Sequence, residues 1–387
     1  MEPVEVRGSR RWRRRALAVG LALALVVAGG ATFVWGYARS LNGNLARTNV
    51  FGSMSPSARP PETVVGALNI LLLGSDSRDP GGTGSSRSDT MMLLHLDADH
   101  HHAYAVSIPR DTWVFVPTAP DGKNGNTMAK INAAYSWGGA PLAVQTVERF
   151  TGVRIDHVVI IDFAGFRGVV DALGGLDMYV DQTITSIFPP YRVFSKGNRH
   201  FTGAEALDYV RQRYQYADGD LTRERHQQEF LKALLDKADS SGTLTDPSRL
   251  NAFLQAVTKS TTVDENFDLV DTALQLRDLR GTDVTFLTSP TAGTGWEGDQ
   301  SVLRSDPAKA AALYRAVSAD TVATWLIPYG SEALKDHPAD PEVGVLAKSL
   351  LPLGSRRHVG GFAPEVYGDP QAGRIPADLR AARRDDR

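Results

Sequence analysis

The chain has 387 residues, 42% of them hydrophobic and 22% charged, with a formal net charge of -2 and no cysteine. Absence of cysteine excludes disulfides, thiolate metal sites and a cysteine nucleophile. The near-neutral balance excludes a molecule that binds polyanions by bulk charge alone. Charge is nonetheless uneven: Arg7, Arg10, Arg11, Arg13, Arg14 and Arg15 crowd the first 15 residues, and Arg211, Arg213, Arg223 and Arg225 form a second cluster.

Ala16 to Tyr37 is an uncharged apolar run, long enough as a helix to cross a hydrocarbon core of roughly 30 Å. Trp35 and Tyr37 stand at its far end, where aromatic rings favour the membrane interface. The arginines before it keep the N-terminus cytoplasmic by the positive-inside rule. A cleaved signal peptide is the competing reading, but the apolar run continues past the small residues Ala28 to Ala31. The expected organisation is a basic cytoplasmic tail (1–15), a single transmembrane helix (16–37), a stalk (38–66), a folded domain (67–325, core 67–240) and a flexible Pro/Gly/Arg-rich tail (326–387). The folded part would then be extracytoplasmic.

Ala67–Leu73 is nearly continuously apolar, as in a strand buried on both faces. Thr90–Leu96 and Ala103–Ile108 read as strands joined through the polar turn Asp97–His102. A helix is predicted over Pro141–Phe150, a strand over His157–Ile161, a helix over Gly165–Leu173 and a strand over Leu176–Val180. Thr202 is placed to cap a helix over Gly203–Tyr209, and Asp220 to cap one running from Leu221 to about Ala238. Phe230, Leu231, Leu234 and Leu235 would form its buried side. Asn251–Gly281 reads as largely helical, Val284–Leu287 as a strand and Ser305–Ser318 as a helix. Strands alternating with helices predict an α/β domain, a central mixed sheet with helices on both sides.

Four constellations bear chemistry. Gly74–Arg78 follows the first strand, where α/β sheets place their sites, and the loop after it ends in Arg87-Ser88-Asp89. Its carboxylates and arginines suit either a divalent cation with phosphate oxygens or plain turn formation. Arg110 follows the strand ending near Ile108, and with Asp111 it also fits a structural ion pair. Arg211 and Arg213 share a side only where the chain is extended, a geometry suited to phosphate; otherwise they are a solvated basic surface. Arg223 and Gln227 share one helix face near a helix N-terminus, where the dipole favours an anion, although a capped solvated helix start has the same spacing. His226 reads as a surface histidine or a general base, and His100–His102 as a solvated turn.

These segments, in one order, resemble the LytR–CpsA–Psr family: NILLLGSDSR, RSDTMMLLHLD, SIPRDTWV, KINAAYSWGG, TGVRIDHVVIIDFAGF, DALGGLDMYV, GAEALDYVRQR and DLTRERHQQ. The resemblance implies transfer of a cell-wall glycopolymer from a polyprenyl-pyrophosphate carrier to a peptidoglycan hydroxyl, outside a lipid bilayer, with Mg²⁺ or Mn²⁺. It implies Asp76 and Asp89 as cation-associated carboxylates, and Arg87, Arg110, Arg211, Arg213 and Arg223 as pyrophosphate-binding arginines. Asp220 and Gln227 match the remaining polar positions, with Asp89, Arg110 and Asp220 as the catalytic set. Thr222 stands where the family often has Gly, and His226 where it often has Arg. The lipid would need an apolar slot near Phe163, Phe166 and Val169, residues that equally suit an ordinary core. A pyrophosphatase would use the same site with water. A DNA-binding regulator would need a reading element that the 15 residues before the apolar run are too few to form, so no nucleic-acid partner is expected.

Overall fold

The structure is a computed structural model that describes residues 39–52, 54–62, 64–75, 88–216, 219–243, 246–276 and 279–333, together with Gly36. The expected transmembrane run, Asp76, Arg87 and the tail beyond Ala333 lie outside these residues. No helix among them is long and apolar enough to cross a membrane.

In chain order the strands are β1 (Ala46–Thr48), β2 (Leu68–Ser75), β3 (Ser88–Leu96), β4 (Ala103–Ser107), β5 (Trp113–Val116), β6 (Thr127–Lys130), β7 (His157–Asp162), β8 (Leu176–Val180), β9 (Ile184–Thr185), β10 (Val193–Phe194), β11 (Gly197–Phe201), β12 (Thr261–Asp264), β13 (Val284–Thr288), β14 (Thr291–Glu297) and β15 (Gln300–Ser305). The helices are α1 (Asn132–Thr151), α2 (Phe163–Ala172), α3 (Gly203–Val210), α4 (Asp220–Ser240), α5 (Pro247–Ser260), α6 (Leu269–Gln275), α7 (Pro307–Ser318) and α8 (Val322–Ala333).

Seven strands form the central sheet in the order β1-β12-β7-β2-β3-β4-β13. It is mixed: β2 runs parallel to β7 and antiparallel to β3, β3 is antiparallel to β4, and β13 is parallel to β4. Side-chain alternation assigns its two faces. Leu71, Leu73, Met91, Leu93, Tyr104 and Val106 join the main core with Leu142, Val144 and Val147 of α1 and Leu313 and Tyr314 of α7. The opposite phase carries Thr90 and Ser107, which bond to Gln227 and Gln228 of α4. Helices therefore cover both faces, as the α/β reading expects. A second apolar cluster fills the space among α2, α3, α4 and the β8–β11 ribbon.

The strand–turn–strand reading of residues 90–108 holds, as do the helix capped by Thr202 and the helix expected over Ser305–Ser318, which starts at Pro307 with Asp306 as its cap. Elsewhere the fold corrects the expectations. The helix predicted from Pro141 is the second half of α1, which begins at Asn132 and kinks where Gly138 and Gly139 leave helical conformation. The helical reading of 251–281 conceals β12, whose Thr261, Thr262 and Val263 favour a pleated strand. Within the segment expected as a stalk, β1 pairs with β12 at the sheet edge, and Val50 and Met54 enter the core. Buried Glu148 on α1 accepts from Arg59 Nη2 at 2.7 Å and from the Ile155 amide at 3.0 Å, tying this segment to the domain.

Candidate anion-binding site

The carboxyl ends of β2, β4, β7 and β13 lie at one end of the sheet, and β3 begins there. Ser75, the residue before Asp76, pairs with Ser88, the residue before Asp89. The register slips at this point, since Gly74 pairs with Thr90, and Asp89 is the additional residue of a β-bulge. Bulges of this kind re-aim side chains and are common beside active sites. The side chain of Asp89 is outside the described residues.

Arg110 stands three residues beyond β4. Its Nε donates to Asp220 Oδ2 at 2.7 Å. Arg213 Nη1 donates to Asp220 Oδ1 at 3.2 Å, and Arg223 Nη2 lies 3.5 Å from Asp220 Oδ2. Three guanidiniums, delivered by the end of a strand, a loop and a helix, thus converge on one carboxylate. Asp220 is not the expected N-cap. Gly219 holds that position with φ of 53° and no side-chain cap, and Asp220 is the first helical residue. There its charge is favoured by the helix dipole and its oxygens reach sideways to the arginines.

Arg211 and Arg213 do not form a parallel pair. Arg211 keeps a helix-like conformation at the end of α3 (φ -91°, ψ -10°), so the chain does not straighten after Tyr209. Its guanidinium lies over the Phe188 ring at 4.8 Å, whereas that of Arg213 lies over Tyr214 at 4.5 Å. Between them Gln212 is fully buried and donates to Asp208 Oδ1 at 2.8 Å and Ser186 Oγ at 2.9 Å. Gln227, one turn beyond Arg223, accepts from Thr90 Oγ1 at 2.9 Å and so fixes α4 beside the Asp89 bulge.

Two residues depart from what the sequence suggested. Glu224 is buried next to Arg223, and its Oε2 has no hydrogen-bond partner among the described residues. Desolvation pushes its carboxyl up to about 8, opposed by Arg223 and Arg110 and reinforced by Asp220 and Asp111. Its signal was a carboxylate between Arg223 and Arg225 in a helix start otherwise read as solvated. His226 is buried rather than a surface residue. It stacks on Tyr209 at 4.6 Å, meets Tyr216 edge-on at 4.9 Å, and has Nε2 3.2 Å from the Tyr209 hydroxyl. Burial alone would raise the Asp181 carboxyl, but the interaction with His226, whose Nε2 lies 3.6 Å away, holds it below its ordinary value.

Phe166 and Val169 belong to the second apolar cluster, with Phe166 edge-on to Phe230 at 5.4 Å; the Phe163 side chain is outside the described residues. His101 and His102 are exposed in the β3–β4 turn, at the opposite end of the sheet from Arg110.

A model of the LytR_cpsA_psr family matches residues 39–316. The chain belongs to this family. Among its relatives, the cell wall biosynthesis protein LcpA of Corynebacterium glutamicum is 32% identical over 62% of this chain and 54% of LcpA. The polyisoprenyl-teichoic acid–peptidoglycan teichoic acid transferase TagU of Bacillus cereus is 36% identical over 52% of this chain and 63% of TagU. The chain therefore spans less than two thirds of the length of each. Among solved structures, B. subtilis TagV is 27% identical with a TM-score of 0.55, covering 66% of this chain and 97% of TagV. The LytR-Csp2A-Psr enzyme from Actinomyces oris shares the fold at 20% identity and a TM-score of 0.54, over 71% of this chain and 96% of that enzyme. The mixed α/β sheet is thus the architecture of this LytR_cpsA_psr member as of its solved relatives.

Proposed function

We propose that the protein transfers an anionic cell-wall glycopolymer from a polyprenyl-pyrophosphate carrier to a sugar hydroxyl of peptidoglycan, on the outer side of a membrane that residues 16–37 span. The observation that carries this reading is the convergence of Arg110, Arg213 and Arg223 on Asp220 at the carboxyl end of the sheet. Planar guanidiniums bind phosphoryl oxygens in bidentate fashion and stabilise the charge that moves during transfer. The name of the relative TagU supports the polymer and acceptor classes.

In the reaction, the acceptor hydroxyl oxygen forms a bond to the phosphorus next to the glycan. The bond from that phosphorus to the bridging oxygen breaks, polyprenyl phosphate leaves, and the hydroxyl proton passes to a base. Arg110, Arg213 and Arg223 take the departing and transferring oxygens, with Arg87 and Arg211 as further phosphate contacts. Asp220 already accepts from guanidiniums on both oxygens, which suits positioning of the arginines, and this leaves Asp89 as the proton acceptor in this reading. Asp76 and Asp89 are hard oxygen donors of the kind Mg²⁺ or Mn²⁺ takes, and the Ser75–Ser88 pairing brings their preceding residues together. A cation there would supply charge neutralisation to the pyrophosphate. Gln227 holds α4 to the bulge through Thr90.

The test is incubation of the full chain with a synthetic lipid-pyrophosphate glycan, Mg²⁺ and peptidoglycan oligomers, with mass analysis of products. Glycan-bearing peptidoglycan is expected, and Arg110→Ala should abolish it. Release of free phosphorylated glycan at the same rate with and without acceptor would instead mark a pyrophosphatase and sink transfer.

A further inference from the structure

Ile187 and Tyr191 lie in the loop of the β9–β10 hairpin and Val193 opens β10 beside it; they are 42%, 60% and 53% exposed. Pro189 and Pro190 between them are exposed as well, and neighbouring Tyr214 is 70% exposed. Soluble surfaces scatter large apolar side chains singly; a group of them on one exposed loop marks an interaction surface. Tyr191 is also held at φ of 60°, a conformation disfavoured for a bulky L-residue, in a turn closed by its amide donating to Phe188 O at 2.7 Å.

The charges around this loop select the partner. Arg211 lies over Phe188 and Arg213 over Tyr214, so guanidiniums border the aromatic rings. Of the nearby acids, Asp208 pairs with Arg192 of this loop at 3.0 Å and accepts from Ser186 of the same loop and from Gln212. Asp181 is occupied by His226 and Tyr216. Aromatic rings and arginines around an aliphatic loop are the composition that settles at a bilayer interface, rings at headgroup depth and cations toward phosphates.

We propose that the hairpin segment Ile187–Val193, with Tyr214, docks on the headgroup region of an anionic phospholipid bilayer and thereby sets the arginine cluster at the depth of a lipid-linked pyrophosphate. The link to the site is direct. The Ile187 amide donates to Gln212 Oε1 at 3.2 Å, and Gln215 Nε2 donates to Thr185 O at 2.8 Å, so the hairpin and the loop carrying Arg211 and Arg213 are bonded together. The choice of a bilayer rests on the lipid-linked donor proposed above.

Because the chain has no cysteine, a single introduced thiol can be labelled without ambiguity. Full-length Tyr191→Cys, Val193→Cys and, as reference at the opposite end of the sheet, His101→Cys carry the environment-sensitive dye NBD. Each is reconstituted into vesicles of phosphatidylglycerol and phosphatidylethanolamine. At positions 191 and 193 the emission should move to shorter wavelength and be quenched by lipids brominated on the acyl chain, while position 101 keeps its aqueous emission. Aqueous emission without bromine quenching at 191 and 193 would overturn the proposal. So would shielding seen only after polyprenyl phosphate is added, which would assign the patch to the carrier chain instead. Thermal melts of the three labelled proteins establish that each is folded, and the assay reads depth without chemistry, so docking and transfer fail independently.

Discussion

Replacing Glu224 by Gln should stabilise the domain at alkaline pH and leave it nearly unchanged at acidic pH. Burial raises the folded carboxyl from 4.5 to about 8, so the fold holds it protonated over a range in which the unfolded chain has released its proton. Its contribution to stability is therefore intact below about 4.5 and is lost as pH rises through about 8. At about 1.4 kcal/mol per pKa unit, the span corresponds to about 5 kcal/mol as an upper bound. The shift to about 8 already includes the opposing Arg223 and Arg110, and water penetration softens the charged form further, so about 2–4 kcal/mol is expected for the variant at about pH 9. Glutamine keeps the shape and is neutral throughout, which isolates the titration. Urea unfolding of the detergent-solubilised chain and the Glu224→Gln variant, at about pH 5 and about pH 9, reads the difference. A gain of equal size at both pH values, or none at the higher one, would refute a desolvated carboxyl as its cause.

Asp220→Ala should leave three guanidiniums without their shared carboxylate. Transfer is expected to fall about 100-fold or more, with about 1–3 kcal/mol lost in stability, checked by product formation and melting of the same preparation. Arg59→Ala strands the buried Glu148 carboxylate and should cost about 3 kcal/mol by urea unfolding; loss of less than about 0.5 kcal/mol would mean that residues 54–62 are dispensable to the domain. Thr202→Ala removes the capping box with Glu205 and should cost about 1 kcal/mol in the same measurement, with Arg211 at the other end of α3 reporting any transmitted effect on transfer.

The strands at the centre of the sheet were legible because apolar runs bounded by turn residues leave little choice, as in Leu68–Ser75 and Ser88–Leu96. Arg110 was legible for the same reason: it follows a strand end, and α/β topology collects such ends. What escaped has a common cause in tertiary context. Thr261–Asp264 is too short to compete with the helix before it, and becomes a strand by pairing with β7 and β1. Asp220 has the composition of a cap, but the left-handed backbone at Gly219 moves the helix start by one residue and frees the carboxylate for arginines. Spacing alone left Arg211 and Arg213 open, because their directions depend on the buried Gln212 between them.

The first half of α4 breaks the usual rule for an amphipathic helix. Thr222, Arg223, Glu224, His226, Gln227 and Gln228 are all buried, and the apolar contacts begin only near Phe230. Burying polar groups is costly unless they are bonded, and the two glutamines are: Gln228 Nε2 donates to Ser107 Oγ at 2.7 Å and to Leu287 O at 3.2 Å, and Gln227 accepts from Thr90, whereas Glu224 Oε2 has no such partner among the described residues. These bonds fix the helix start against three strands, which a greasy and slippery interface would do less exactingly. Two guanidiniums about 6 Å apart repel by about 3 kcal/mol at an effective dielectric of about 20. Asp220 offsets that repulsion through its contacts to all three guanidiniums. Under the proposed transfer, a pyrophosphate, with more charge and more acceptor oxygens than one carboxylate, would take over donors from Asp220. Organisation achieved before binding is the condition under which such charges accelerate phosphoryl transfer, because little reorganisation remains when charge develops.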